Sequence, residues 1–547
     1  MDETTAKGGR QSVLSPLANR TFRGLWIGSN ISNLGSLIQT VGAGWLMTEL
    51  AASDGQVALV QAANVLPLMA FSLIAGALAD NFDRRRIMIW AQVAMLVASG
   101  ILAGLAYAGQ VTPWIILIFT FLIGCGGALY NPSWQASVGD VVPRDEVRGA
   151  IGLNSMGFNL MRSVGPALGG LIVALAGAGA AFAVNAVSYV ALVWALVRWK
   201  PEPKERRLPR EALGPALSAG LRYVSMSPAL MRVTARGALF GIAASSVLSL
   251  LPVVAREMLK GTAFTYGLLL GCFGLGAIGG VLASSRLASR LRNETLVRLA
   301  FLGFAIGVEG LAASSLLVLS CLSLALCGAS WVLALSLFNV TVQLSTPRWV
   351  VGRALSFYQT ATFGGMAAGA WLWGTVSDDY GTPHALMISG LGLLLGVLAG
   401  RWLGLAEVSN LNLDPIGRWR EPALRLDLRA RSGPVMVMID YEIAQEDVEE
   451  FLSVMRQRRR IRLRDGARQW ALLRDLENPG QWTESYHVPT WVDYVRHQER
   501  RTKADAEVTE HLLALHRGAG GPRVHRMIER QTVPVRDDMP LKMTDVT

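Results

Sequence analysis

Long apolar runs separated by short charged turns fill the first three quarters of the chain, and the last quarter loses them. A helix needs ~20 consecutive apolar residues to cross a bilayer. Runs of that kind fall at roughly 24–50, 57–79, 87–108, 113–139, 149–176 and 179–199. They resume at roughly 234–255, 264–285, 295–314, 316–345, 353–377 and 384–404. The pattern predicts an all-α membrane part in two six-helix halves, 24–199 and 234–404, about 12 transmembrane helices. A polar N-terminal tail, 1–23, precedes it and has no signal-peptide core, so the first span must direct insertion. Residues 200–233, with Lys204, Arg206, Arg207 and Arg210, read as a linker between the halves.

Past residue 404 the period changes. Residues 405–432 are charged and irregular, a connector to a domain at 433–547. Val435 to Ile443 reads as a strand and Gln445 to Arg464 as a basic helix. Arg468 to Leu476 and Gln481 to Val488 form a hairpin across Asn478-Pro479-Gly480. Thr490 to His516 follows as a helix and Arg523 to Arg530 as a last strand. The order βαββαβ is that of a ferredoxin-like α+β domain. It resembles the antibiotic-biosynthesis-monooxygenase type of dimeric α/β barrel, which is small and often cofactor-free. The resemblance implies a homodimer through this domain. Trp470, Trp482, Tyr486, His487, Trp491 and His497 either line a pocket there or pack a core and a dimer interface.

Charge fixes the expected orientation. The chain carries 51 Lys and Arg against 40 Asp and Glu, a net charge of +11, which could point to nucleic acid. The basic residues instead collect in alternate loops: Arg20 and Arg23, then Arg84 to Arg86, then Arg144 and Arg148. The alternation continues through the linker, Arg286, Arg290 and Arg292, and then Arg348 and Arg353, while the opposite loops hold little beyond Arg256 and Lys260. By the positive-inside rule both termini are cytoplasmic in a multi-pass protein of the cell inner membrane, with anionic lipid as partner and no nucleic acid. Mean hydropathy of +0.36 fits this reading. Cys125, Cys272, Cys321 and Cys327 all lie in apolar segments without metal-site spacing. No Walker A sequence occurs, which argues against ATP hydrolysis by this chain. No cofactor and no metal are expected.

Candidate chemistry centres on the stretch from Val142-Pro143-Arg144-Asp145-Glu146-Val147-Arg148-Gly149 to Gly170. Asn154, Phe158, Arg162 and Pro166 recur every four residues and share one helix face. A charge in mid-membrane costs at least ~2.5 kcal/mol and faces a cavity or a partner. Arg162 therefore either lines a polar path or locks two helices by a hydrogen bond. Thr346-Pro347-Arg348 to Leu355 partly repeats Val142-Pro143-Arg144 to Ile151, and both follow an Asn and a Gln (Asn131 and Gln135; Asn339 and Gln343). Repeated membrane halves are a mark of transporters, whose sites form where the repeats face each other.

Gly76-Ala77-Leu78-Ala79-Asp80-Asn81-Phe82-Asp83-Arg84-Arg85-Arg86, set between the second and third spans of a six-plus-six chain, resembles the loop motif of the major facilitator superfamily. Asn81 replaces that motif's first base and Asp83 its second glycine, while Asp80 and Arg84 are kept. The resemblance implies a cytoplasmic gate in which Gly76, Asp80 and Arg84 meet an acid at the end of the fourth span, here Asp140; the alternative is a solvated loop. The matching loop of the second half, Gly280 to Arg292, has no acid. Gly157 to Gly170 ends Gly165-Pro166-Ala167-Leu168-Gly169-Gly170 and resembles the helix-packing motif of the superfamily's exporters. Ser15 to Arg23 and the loop together look closest to its enterobactin-exporter-like branch.

The resemblance implies an exporter of a siderophore-like or drug-like molecule working by alternating access. The mix of Trp, Tyr, amides and one Arg suits a small amphipathic or weakly anionic molecule, and without a Walker A sequence the expected drive is a proton gradient. The resemblance also implies a substrate cavity drawing on Asn30, Asn33, Gln39, Asn131, Gln135, Asn154, Asn159, Arg162, Asn339, Gln343 and Tyr358. Each amide also has a plainer alternative, an interhelical hydrogen bond. Glu49 and Glu309 are the weak candidates for proton coupling. The rival class is an enzyme, a small monooxygenase whose membrane part only localises it.

Overall fold

Local chemistry sets where the membrane helices begin. In the computed structural model the Asn19 side chain accepts the Thr21 and Phe22 N–H groups and opens α1 (Arg20–Leu50), Asp83 does the same for α3 (Arg84–Tyr107), and Thr112 with Pro113 opens α4 (Pro113–Val141). Between them lies α2 (Asp54–Asn81). Helix α5 (Val147–Arg198) joins the fifth and sixth apolar runs and is broken only at Gly177, whose φ of +78 a side chain would resist. A short α6 (Leu213–Ser225) stands in the linker. The second half follows as α7 (Pro228–Val253), α8 (Ala263–Ala288), α9 (Asn293–Ala312), α10 (Leu317–Leu344), α11 (Val351–Tyr380) and α12 (Thr382–Ala399). The structure describes residues 15–81, 83–143, 146–200, 213–347, 349–405, 413, 422, 424–429 and 431–529, without the side chains of 72–81, 136, 148, 213, 215, 216 and 285. Among the described residues, eight helical stretches are long and apolar enough to cross a membrane.

The chain forms two compact units. One joins Met1–Glu211, Arg232–Thr341 and Leu355–Glu407; the other joins Ala212–Met231, Val342–Ala354 and Val408–Thr547. Within the first, α1 packs along α5, and α5 in turn packs against α8, so α5 bridges the halves. The second half has an aromatic core in which Phe240 meets Phe301, Phe304 and Phe338 edge-on. Arg236 of α7 is fully buried beside it, donating to the Gly396 carbonyl at 2.6 Å, with Phe301 beneath its guanidinium. Glu294 lies 3.7 Å from Arg236 and 2.9 Å from Arg298. The acid missing from Gly280 to Arg292 thus stands two residues beyond it, at the start of α9.

In the second unit, alternation produces the sheet: β1 (Val435–Glu442), β2 (Arg468–Arg474), β3 (Gln481–Val488) and β4 (Arg523–Ile528), with α13 (Val448–Asp465) after β1. The strands pair antiparallel in the order β2-β3-β1-β4. The single helix expected over 490–516 is two, α14 (Trp491–Glu499) and α15 (Lys503–Leu515), because Thr502 and Asp505 form a capping box that starts a new helix. Trp482, Tyr486 and Trp491 are core residues and Trp470 packs against them, the packing alternative of the sequence.

Candidate functional site

A cavity of about 290 Å³ opens among α1, α2, α3, α4, α5, α7 and α8 in the first unit. That is close to the lower end of ligand pockets, which run from ~300 to 1,000 Å³. Helix α1 gives it Ser32, Asn33, Ser36, Gln39 and Thr40; α2 gives Gln61 and Asn64; α4 gives Thr120, Tyr130 and Asn131. Phe158 and Tyr189 of α5 and Tyr266 of α8 add rings. Among the described residues that line it there is no Asp, Glu, Lys, Arg or His.

A hydrogen-bond network fixes one wall. Ser99 donates to Gln39 at 2.8 Å, and the Asn185 amide donates to Ser99 and to the Tyr189 hydroxyl, each at 3.1 Å, and also to Gln39. Ser36 and Tyr189 share a further bond at 3.1 Å, and Tyr130 donates to Ser29 at 3.1 Å. Asn185 is 0% exposed, so its partners must come from the protein. The network engages Gln39 and Tyr189 where they line the cavity.

Of the residues picked from sequence, Asn33, Gln39 and Asn131 line this cavity. The others do not. Asn30, Asn159 and Asn339 each donate to the carbonyl four residues back, at 2.8 Å, which ties the amide N–H to its own helix, while the buried Oδ1 of Asn30 accepts no hydrogen bond among the described residues. Gln135 and Gln343 are exposed, Asn154 is half-buried, and Tyr358 is buried against Phe338. Arg162 lies at the α5–α8 crossing, its guanidinium carbon 5.7 Å from the Phe273 ring centroid. The two carboxylates also sit apart from the cavity: Glu49 accepts from Trp45 at 2.7 Å, and Glu309 packs against Gly390. Sequence reasoning missed Gln61, Asn64, Ser99, Asn185 and Tyr189; nothing local distinguishes them from other polar residues in apolar helices.

The glycine motif of α5 works as a two-sided seam. A Cβ at Gly165 would lie 2.9 Å from that of Leu37, and one at Gly169 would lie 3.0 Å from the Ile38 Cα, so both face α1. A Cβ at Gly170 would come 2.6 Å from the Ala263 carbonyl oxygen of α8. Pro166 is buried between them. Elsewhere the halves meet where α2 begins and α11 ends: Ser377 and Thr382 donate to the Asp54 carboxylate at 2.7 and 3.1 Å, and the Gly55 N–H donates to Asp378 at 3.1 Å. Arg84 reaches Asp140 at 3.2 Å. The side chains of Gly76 and Asp80 lie outside the described residues.

A family model described as transmembrane secretion effector matches residues 11–533, through the membrane part and the C-terminal domain alike. The chain belongs to that family. It is a transporter of the major facilitator superfamily, with a small antiparallel sheet at its C-terminal end. The transporter is similar to the staphyloferrin A transporter of Staphylococcus aureus, 24% identical over 369 residues that cover 65% of this chain and 90% of that one. It is 28% identical to the enterobactin exporter of Escherichia coli over 343 residues, covering 60% and 78% of the two chains. Macrolide efflux protein A of Streptococcus pyogenes is 23% identical over 273 residues, 47% of this chain and 66% of that protein. Among solved structures, an inward-facing bacterial homologue of the human lysosomal transporter Spinster covers 72% of this chain and 98% of its own at a TM-score of 0.57 and 13% identity. The nucleoside transporter NupG matches at 0.59, with 12% identity, 70% of this chain and all of that one. These structural matches carry the fold.

Proposed function

We propose that the transporter is a secondary active exporter of a small amphipathic molecule, siderophore-like or drug-like, which it moves through the α1–α2–α4 cavity by alternating access. The observation that carries this reading is the cavity lining, where neutral amides and hydroxyls stand among aromatic and aliphatic side chains and no described side chain is charged. Such a surface rewards hydrogen bonding and stacking and gives an anion no partner. Relatives named as an enterobactin exporter and a macrolide efflux protein agree in direction. The membrane part is read as twelve crossings, with α5 counted twice about Gly177, and both termini face the cytoplasm of an inner-membrane protein. In that orientation the Asp54 contacts close the outer end of the α2–α11 seam. The sheet order and helix crossovers of the C-terminal domain support a ferredoxin-like fold, and we assign its open sheet face to homodimer contact.

The drive assigned is a proton gradient. Glu49 and Glu309 stand off the cavity, so protons and substrate occupy separate sites in this scheme. Everted membrane vesicles test it. With an imposed inward-acid gradient they accumulate a neutral, hydrogen-bond-rich amphipath, and a protonophore abolishes the uptake. Uptake indifferent to the protonophore overturns the coupling; no uptake of any compound in a chemically broad panel overturns the exporter reading.

A further inference from the structure

Helix α6 lies in what the sequence presents as a charged linker, yet it buries Ala219, Tyr223 and Val224. Its neighbour within the second unit is the turn between α10 and α11, where the Trp349 ring meets Tyr223 edge-on at 5.7 Å. Gly220 permits the approach, since a Cβ there would come 2.7 Å from that of Arg353. The C-terminal domain brings a cation to each ring. The Arg464 guanidinium carbon, in the last turn of α13, is 5.1 Å from the Tyr223 centroid, and that of Arg500, just past α14, is 4.2 Å from Trp349. Guanidinium groups are attracted to ring faces, most strongly where water is excluded.

Both arginines are held in place from behind. Arg464 pairs with Asp465 at 2.9 Å and Asp505 at 3.0 Å, and Arg500 donates to the Asp465 carbonyl at 3.5 Å. Arg222 of α6 donates in return to the Arg464 carbonyl at 3.4 Å, at a helix end where carbonyls lack intrahelical partners. Gly466 ends α13 in the left-handed region, φ +117, and a Cβ there would come 3.2 Å from the Arg222 guanidinium.

We propose that this Arg464–Arg500 face is a docking surface for the chain's own connections, by which the C-terminal domain clamps the inter-half linker helix and the α10–α11 turn into one body. A linker serving only to span two halves needs neither a buried tyrosine nor a glycine-tight seat against a distant turn. Tyr223 stands five residues before α7 and Trp349 two before α11. Movement that separates the starts of those two helices must therefore break the ring contacts. The inference goes beyond the exporter reading, and its test needs no substrate.

The test is hydrogen exchange of the full-length protein in lipid nanodiscs, read by mass spectrometry, for Arg464→Gln/Arg500→Gln and, separately, for Trp349→Leu. The clamp predicts that exchange over 213–225 and 345–353 rises about tenfold or more in both variants while β1 and β3 stay protected. Trp349→Leu alters no residue of the C-terminal domain, so it decides the matter should the double variant unfold that domain. Unchanged protection of 213–225 in Trp349→Leu overturns the proposal.

Discussion

Around the cavity, Gln39, Ser99, Asn185 and Tyr189 bury their polar atoms by sharing hydrogen bonds among neutral groups. In the C-terminal core the same need is met by charge: Glu484, 0% exposed, takes Arg458 and Arg462 at 3.1 Å each, with bonds from Tyr441 and Trp470 besides. Neutral amides and hydroxyls can exchange partners at low cost, each bond being worth about 0.5–1.5 kcal/mol net. A buried ion pair cannot, because breaking it strands a charge. Under the proposed function, the difference separates a wall that accommodates a passing molecule from a core that holds one shape.

The sharpest way to break the comparison is Glu484→Gln. It strands two buried guanidinium groups and is expected to cost the C-terminal domain about 3–5 kcal/mol, read as lost protection of β1 and β3 with membrane insertion intact. A loss under 1 kcal/mol by denaturant titration means the cluster is not the lock described. Acid should do the same more gradually. Burial alone would raise the Glu484 carboxyl, but Arg462 and then Arg458 outweigh it and hold the group at about 2. A depressed carboxylate stabilises fully above its unfolded value and loses that contribution as pH falls through the folded one. The domain should thus weaken between pH ~4.5 and ~2, by roughly 3 kcal/mol in total; Glu484→Gln should flatten that dependence.

Gly170→Ala comes next in size. Its Cβ meets a backbone carbonyl that cannot turn aside, and about 1–3 kcal/mol of overpacking follows at the α5–α8 seam. Gly271→Ala, whose Cβ finds its nearest atom at an ordinary 3.4 Å, is the control and should melt near wild type. Equal melting of the two variants in detergent refutes the seam. The smallest effect on stability belongs to Arg84→Ala. The pair with Asp140 is about a quarter exposed, so its loss costs about 0–1 kcal/mol. If the pair gates the pathway, transport nonetheless falls while the melting temperature holds; normal transport in both Arg84→Ala and Asp140→Asn ends the gate reading.

Features with a local signature were legible in the sequence. Alternation marked β1 and β3 to within a residue, and the glycine run of α5 announced a close helix contact. Arg84 and Asp140, 56 residues apart, were paired only because a motif placed them. The cavity wall had no such signal. Asn185 bonds to Gln39 across 146 residues, and which apolar-helix amides meet depends on helix packing rather than on neighbours in sequence. Arg162 shows the limit of spacing arguments. At 3.6 residues per turn a four-residue step drifts by about 40°, so Phe158 reaches the cavity while Arg162 turns to Phe273.

The central claim is that recognition rests on the neutral network rather than on a membrane charge. Transport into everted vesicles of one neutral and one anionic amphipath, compared between Gln39→Leu and Arg162→Met, tests it most directly. Gln39→Leu removes a buried acceptor from Ser99 and Asn185, so uptake of the neutral compound should fall about tenfold. Arg162→Met should leave the ratio of neutral to anionic uptake unchanged. Selective loss of the anionic compound in Arg162→Met, with Gln39→Leu transporting normally, would contradict the account.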